Sequence, residues 1–319
     1  MTDNKEESNV NWKKKAIELA EMANPMSWRK IARHLGQSKS SVSDVLRLHF
    51  HGYVKPKDKK KKNKVQEHKG AKVLFFDIET RQLTLEGFGL FNQNFALNQI
   101  AEDWSILSFS SKWLHSDEIT YCDVSEMTED DLLLKLYHLF DEADFIVAHN
   151  GRRFDLKKVR ARMVARGFKP HAPVRVIDTL EIAKKEFAMT SNKLEYLTNL
   201  LCKTHKKSSH AKFAGFLLWR EFIRGNPEAI KEMREYNIID VTSLQELYEI
   251  ISPWATGLPV FEVYQDEVLD MSKWEEDGFI YSNLGKYARY RHKDTGQYRR
   301  GQKNLLSKEK RASLLRNIV

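Results

Sequence analysis

The stretch AKVLFFDIE, residues 71–79, organises the reading of the whole chain. It is a continuous apolar run that ends in carboxylates, the pattern of a strand buried on both faces. Side chains alternate along a strand, so Asp77 and Glu79 project to one face while Phe76 and Ile78 project to the other. Two carboxylates placed this way sit about 7 Å apart. Unpaired charge at the end of an apolar strand is costly to bury, and a divalent cation would offset that cost. Taken alone, Asp-x-Glu is equally the solvated end of a strand.

Working outward, ILSFSSKWL (106–114) and EITYCDV (118–124) read as further strands, and 128–141 as an amphipathic helix. DFIVAHN (144–150) and VRVID (174–178) are short apolar strands on either side of a helix over 152–167. Helices follow near 179–187, 193–201 and 215–224, then over 226–251, with Pro227 in its first turn and Pro253 just past its end. Strands first, then strand–helix alternation, predict an α/β fold with a mixed sheet flanked by helices. This domain is expected to span 71–258. Residues 1–54 read as a small all-helical domain, 55–70 as a Lys-rich linker, and 259–319 as a basic C-terminal extension.

The net charge is +9 over 319 residues, and its placement says more than its size. Residues 55–64 hold seven Lys and one Asp, and residues 285–319 hold eleven Lys or Arg against two acids, so the remainder is mildly acidic. Basic extensions of this kind either bind a polyanion or are simply solvated. Two cysteines, far apart, exclude a disulfide scaffold and a Cys-only zinc cage. No apolar run is long enough for a membrane span, and the polar N-terminus predicts no secretory leader. The expected location is the cytoplasm (a host's cytoplasm if the source is viral), or the nucleus if the Lys run is a eukaryotic signal.

Two more segments carry acids in unusual places. In AHNGRRFDL a buried strand runs into Asn150 and Gly151, and Asp155 falls in the first turns of the next helix, where the macrodipole favours an anion. In EYNIIDV, Tyr236 and Asp240 stand at i and i+4 on one helix face, with Asp240 inside an apolar stretch. Each alone has an ordinary explanation in helix-start chemistry or coincidence. Together, four carboxylates at the ends of separate elements can converge on two Mg²⁺ or Mn²⁺ ions about 3.5–4 Å apart, clamping the attacking and leaving oxygens of a phosphodiester. Hard cations take oxygen ligands, which suits Asp and Glu without His or Cys. A tyrosine one turn from a metal-binding Asp can orient the attacking water.

FDIET, NGRRFD (150–155) and YNIID (236–240) resemble the three exonuclease motifs of the DEDD superfamily, built on the RNase H-like fold. The histidine branch needs His five residues before Asp240, where this chain has Glu235. The tyrosine branch needs Tyr four before it, and Tyr236 is there. The chain thus resembles a DEDDy 3′→5′ exonuclease, akin to the proofreading domains of family B polymerases. The resemblance implies that Asp77, Glu79, Asp155 and Asp240 hold two metals, that Tyr236 positions the water, and that Asn150 and Phe154 line the substrate groove. Asp178 reads as a helix cap, and Lys193, before a helix, as either a phosphate contact or a surface residue.

Residues 28–47 resemble a helix-turn-helix, with Ala32, Gly36 and Val42 at its small, turn and core positions. A recognition helix over 39–48 would present Lys39, Ser40, Ser43 and Arg47 to DNA. YRHKDTGQYRR (290–300) looks like half of a zinc ribbon that lacks its cysteines near His292 and Thr295. Its tyrosines and arginines suit single strands, though a tail without a role fits equally. The leading expectation is a metal-dependent 3′→5′ exonuclease acting on nucleic acid, DNA before RNA, and releasing nucleoside 5′-monophosphates. The alternatives are an endonuclease or ribonuclease on the same site, and a DNA-binding protein with a vestigial nuclease fold.

Overall fold

Val73–Thr80 is strand β1, the centre of a five-stranded sheet in the order β5–β4–β1–β6–β7. This computed structural model describes residues 12, 14–21, 28–38, 41, 42, 45, 46, 70–89, 94–205, 212–282 and 284–315. β4 (Ile106–Trp113) pairs antiparallel with β1 along its whole length, and β5 (Ile119–Asp123) antiparallel with β4. β6 (Phe145–Ala148) runs parallel to β1, and β7 (Arg175–Asp178) parallel to β6. The sheet is mixed, as the alternation of strands and helices predicts.

The alternation within β1 splits the core in two. Leu74, Phe76 and Ile78 pack with α2 (Glu129–Glu142) and α3 (Asp155–Ala165) on one side. Val73 and Phe75 pack on the other, against α4 (Thr179–Glu186), α5 (Leu194–Leu201) and the long α7 (Pro227–Ile251). Phe75 and Phe76 are fully buried, each contributing about 1.5–3 kcal/mol by leaving water. Asp77 and Glu79 continue the Val73–Phe75 face, so they look toward α7. A third cluster seats α6 (Leu217–Ile223) on α7 through Leu218, Phe222, Ala229 and Met233.

Helix ends are fixed by local chemistry. The Thr128 hydroxyl accepts from the Asp131 N–H, and the Asp131 carboxylate accepts in return from the Thr128 N–H, closing a capping box on α2. Asn226 caps α7, with Pro227 in its first turn. Glu129 accepts from the Ile106 N–H at 2.9 Å and pairs with Arg162 and Arg166, tying α2, β4 and α3 together. Against the cost of burial, Arg162 and its companions hold the Glu129 carboxyl below the usual range.

Two features escape the sequence patterns. Thr84–Leu85 (β2) and Ile100–Glu102 (β3) form a small ribbon. Trp274–Ser282 (β8), Gly285–His292 (β9) and Tyr298–Arg300 (β10) form a three-stranded antiparallel sheet, where the sequence shows only mixed and basic character. β8 follows Trp274 with three consecutive acids and β9 and β10 mix Tyr with Arg, so the usual apolar–polar period of 2 is missing. A short α8 (Lys308–Ala312) follows.

At the N-terminal end, residues 14–21 and α1 (Trp28–His34) are helical, and Ala16, Ile31, Ala32, Val42 and Leu46 form a small buried cluster. Gly36 takes φ +61° in the turn after α1, a conformation that glycine adopts without strain. Lys39, Ser40, Ser43 and Arg47 lie outside the described residues, as do residues 55–69 of the linker. Among the described residues, no helix is long and apolar enough to cross a membrane.

Candidate active site

The carboxyl ends of β1, β6 and β7 meet where the sheet begins to open, the usual position for a crevice in α/β sheets. β6 pairs with β1 only from Val73 to Phe75, and beyond that, among the described residues, no strand pairs with β1 on the side away from β4. Asp155 fills the gap: its Oδ1 accepts from the Ile78 N–H at 3.3 Å. The first turn of α3 is thereby pinned to the strand that carries Asp77 and Glu79.

Asp77, Glu79 and Asp240 each bring a carboxylate oxygen to within 4.8 Å of the others. Asp240 is buried, while Asp77 and Glu79 are half-buried and open to the crevice. A donor set made only of carboxylate oxygens suits a hard divalent cation such as Mg²⁺ or Mn²⁺. Asp155 is 3% exposed and lies next to this group, facing Asp240 and Asp178. Burial first, then those two negative neighbours, push its carboxyl up to about 7, against the hydrogen bonds from its own N–H and that of Ile78. All four expected acids thus collect at one crevice, three of them within bonding reach of a single ion.

Residues not singled out by sequence hold the acids in place. Asn237, fully buried on α7, donates from Nδ2 to Asp77 Oδ2 at 2.7 Å. Its own Oδ1 accepts from the Ser108 hydroxyl at 3.2 Å, and its carbonyl accepts from the Ser110 hydroxyl. Trp219 on α6 donates from Nε1 to Glu79 Oε2 at 2.9 Å. The same indole meets the Tyr236 ring edge-on, centroids 6.0 Å apart, and so fixes the half-buried tyrosine one helical turn before Asp240. Asn237 could have been found as the i−3 neighbour of Asp240; Trp219 has no signal in the sequence. Glu235, in place of the alternative histidine, is exposed and pairs with Lys231 at 3.9 Å.

The turn after β6 is built by Asp178. It caps α4 by accepting from the Leu180 N–H at 3.0 Å, as expected, and it also accepts from the Asn150 N–H at 2.8 Å and the Arg152 N–H at 3.2 Å. Asn150 sits at φ +67°, the left-handed region that Asn tolerates better than most residues. Gly151 admits no side chain: a Cβ there would lie 2.3 Å from Ala148 Cβ. Phe154, the last residue before α3, is 39% exposed on the rim. Beside it the Lys158 ammonium stands 3.7 Å above the Trp104 ring and 5.8 Å from the Phe154 ring. Lys193 is exposed at the start of α5, and the His149 ring bridges the Thr179 hydroxyl and the Asn192 carbonyl at 2.9 Å each, drawing that loop to the end of β6.

A family model of the RNase H superfamily matches residues 74–252, more than half of the chain, and the chain belongs to that superfamily. The match covers the central sheet and the helices that flank it. Among solved structures, the family B DNA polymerase from the hyperthermophilic archaeon Pyrobaculum calidifontis is similar over 61% of this chain and 27% of the polymerase, with 14% identity and a TM-score of 0.42. The similarity therefore spans about a quarter of that polymerase. No curated protein matches.

The raised Asp155 carboxyl carries a pH signature. Between about 4 and 7 the unfolded chain has released this proton while the folded chain keeps it, so without divalent ions stability falls as pH rises through that window. Asp155→Asn cannot ionise and keeps the acceptor for Ile78. In chelator at pH 8 it should melt above the wild type, with the difference closing toward pH 4. Equal destabilisation at both pH values would contradict the assignment. Gly151→Ala should cost about 1–3 kcal/mol in urea unfolding, because the new methyl overlaps Ala148.

Proposed function

We propose that this protein is a metal-dependent 3′→5′ exonuclease of the DEDDy type that acts on single-stranded 3′ ends, DNA before RNA. The observation that carries the reading is the approach of Asp77, Glu79 and Asp240 within 4.8 Å, with Tyr236 one turn from Asp240 on the same helix. When bound, two divalent ions would lower the cost of charge developing on the attacking and leaving oxygens. Asp77, Glu79, Asp155 and Asp240 would hold them.

The remaining chemistry falls to the chain's own groups. Tyr236, steadied by Trp219, would hold a water in line with the last phosphodiester through its hydroxyl. The water oxygen bonds to phosphorus, the 3′ oxygen of the preceding nucleotide leaves and takes up a proton, and a nucleoside 5′-monophosphate is released. Asn237 keeps Asp77 aimed at the crevice throughout. Phe154 would offer a ring for the terminal base, and Asn150 and Lys193 would contact the bound strand. On this reading the N-terminal helices would add a DNA contact through Lys39, Ser40, Ser43 and Arg47.

Degradation of a 3′-labelled linear strand with Mg²⁺ or Mn²⁺ tests the reading. Asp77→Asn and Asp240→Asn are each expected to lower the rate about 10³-fold, the equivalent of several kcal/mol of charge stabilisation. Tyr236→Phe should lower kcat about 10²-fold with little change in KM. Circular single strands should survive. Cleavage of circles would replace the exonuclease with an endonuclease, a strict preference for RNA would make it a ribonuclease, and equal rates in wild type and all three variants would remove the reading altogether.

A further inference from the structure

Pairing in the C-terminal sheet sorts its side chains by face. Tyr298 stands opposite Arg291 and Arg300 opposite Arg289, so these four share one face, and Tyr287, two residues before Arg289, joins them. Each tyrosine lies under a guanidinium: Arg300 is 4.2 Å from the Tyr287 ring, and Arg289 and Arg291 are 5.1 and 5.9 Å from the Tyr298 ring. Arg291, Tyr298 and Arg300 are exposed. Some of the positive charge is met within the sheet, since Arg289 pairs with Asp277 at 3.3 Å and Glu275 stands opposite Arg291. Across 274–300 six Lys or Arg stand against four acids, so the sheet carries a modest positive excess, and four more Lys or Arg against one acid follow in 301–311.

We propose that this face of the β8–β9–β10 sheet is a binding site for single-stranded nucleic acid. Guanidiniums suit phosphates, and tyrosine rings spaced between them suit unstacked bases, a combination that a duplex with its bases already stacked cannot use. The face also borders a groove of about 440 Å³, closed on its other side by Ala255–Val260. The segment 255–259 lines a second cavity of about 560 Å³ together with Arg152 and Asp178, which belong to the turn beside the acid cluster. The two cavities share 255–259 as a common wall. The binding itself does not depend on whether the acid-lined crevice cuts.

Fluorescence anisotropy of oligo-dT and oligo-rU, titrated with the full chain in chelator at several salt concentrations, tests this without cleavage. Replacing both Arg291 and Arg300 by Gln should weaken oligo-dT binding about tenfold or more and flatten the log–log salt slope by about 1.4, at 0.7 per lost phosphate contact. Replacing both by Lys should keep the slope, which separates lost charge from lost fold. Tyr298→Ala should weaken binding about tenfold with the slope unchanged. Lys286→Gln, on the opposite face against Phe279, should change it less than twofold. Oligo-rU should follow the same pattern, because neither stacking nor phosphate pairing reads the 2′-hydroxyl. Unchanged affinity in the arginine and tyrosine variants, equal losses on a blunt duplex, or an equal loss from Lys286→Gln would overturn the proposal. Cleavage of short strands by the same variants would leave the nuclease reading standing independently.

Discussion

Three carboxylates with oxygens inside 4.8 Å repel one another, and much of the local structure at the end of β1 offsets that repulsion. Asn237 donates to Asp77, Trp219 donates to Glu79, and the Ile78 amide donates to the neighbouring Asp155. These donors orient the acids but supply no positive charge. Burial first, and then the charges of Asp178 and Asp240, push the Asp155 carboxyl up to about 7. An oxygen-only donor set of this kind is consistent with a hard divalent cation.

The sheet topology makes the crevice available. β1 is zipped to β4 along its full length, but β6 leaves it after Phe75, and the backbone donor freed at Ile78 is taken by a side chain from the next helix. The departure of β6 is enforced by the turn that follows, where Asn150 adopts a positive φ, Gly151 presses against Ala148, and Asp178 gathers two backbone amides. Acids from two layers of the fold therefore meet at one strand end: Asp155 from the α3 side, Asp240 from the α7 side.

α6 has a larger part than its seven residues suggest. Through Trp219 it touches both Glu79 and Tyr236, so its seat on α7 through Leu218 and Phe222 positions two candidate site residues at once. On the other flank, Phe261 and Tyr264 pack on Phe145 of β6 with ring centroids 4.9 and 5.3 Å away, and Arg299 reaches Glu262 at 3.0 Å. These contacts couple the C-terminal sheet to the strand whose end forms the crevice.

The pattern of residues was sufficient for the central sheet and its helices, and it singled out Asp77, Glu79 and Asp240, whose carboxylates stand together in the structure. Apolar runs and helical spacing are local properties, and Asp or Glu at the end of such a run stands out because burial of charge is costly. Asp178 as a cap was legible for the same local reason. What the linear pattern lacked was anything that depends on contact between distant segments. Trp219 is 140 residues from Glu79, and Asn237 is 160 from Asp77, so neither partnership leaves a trace in spacing. The C-terminal sheet was missed because the acids of β8 and the mixed Tyr and Arg of β9 and β10 leave no apolar–polar alternation. Sequence alone determined which side chains bear the charge; only tertiary packing decided how close they stand and what restrains them, because the desolvation and repulsion that define the site arise when separate elements are brought together.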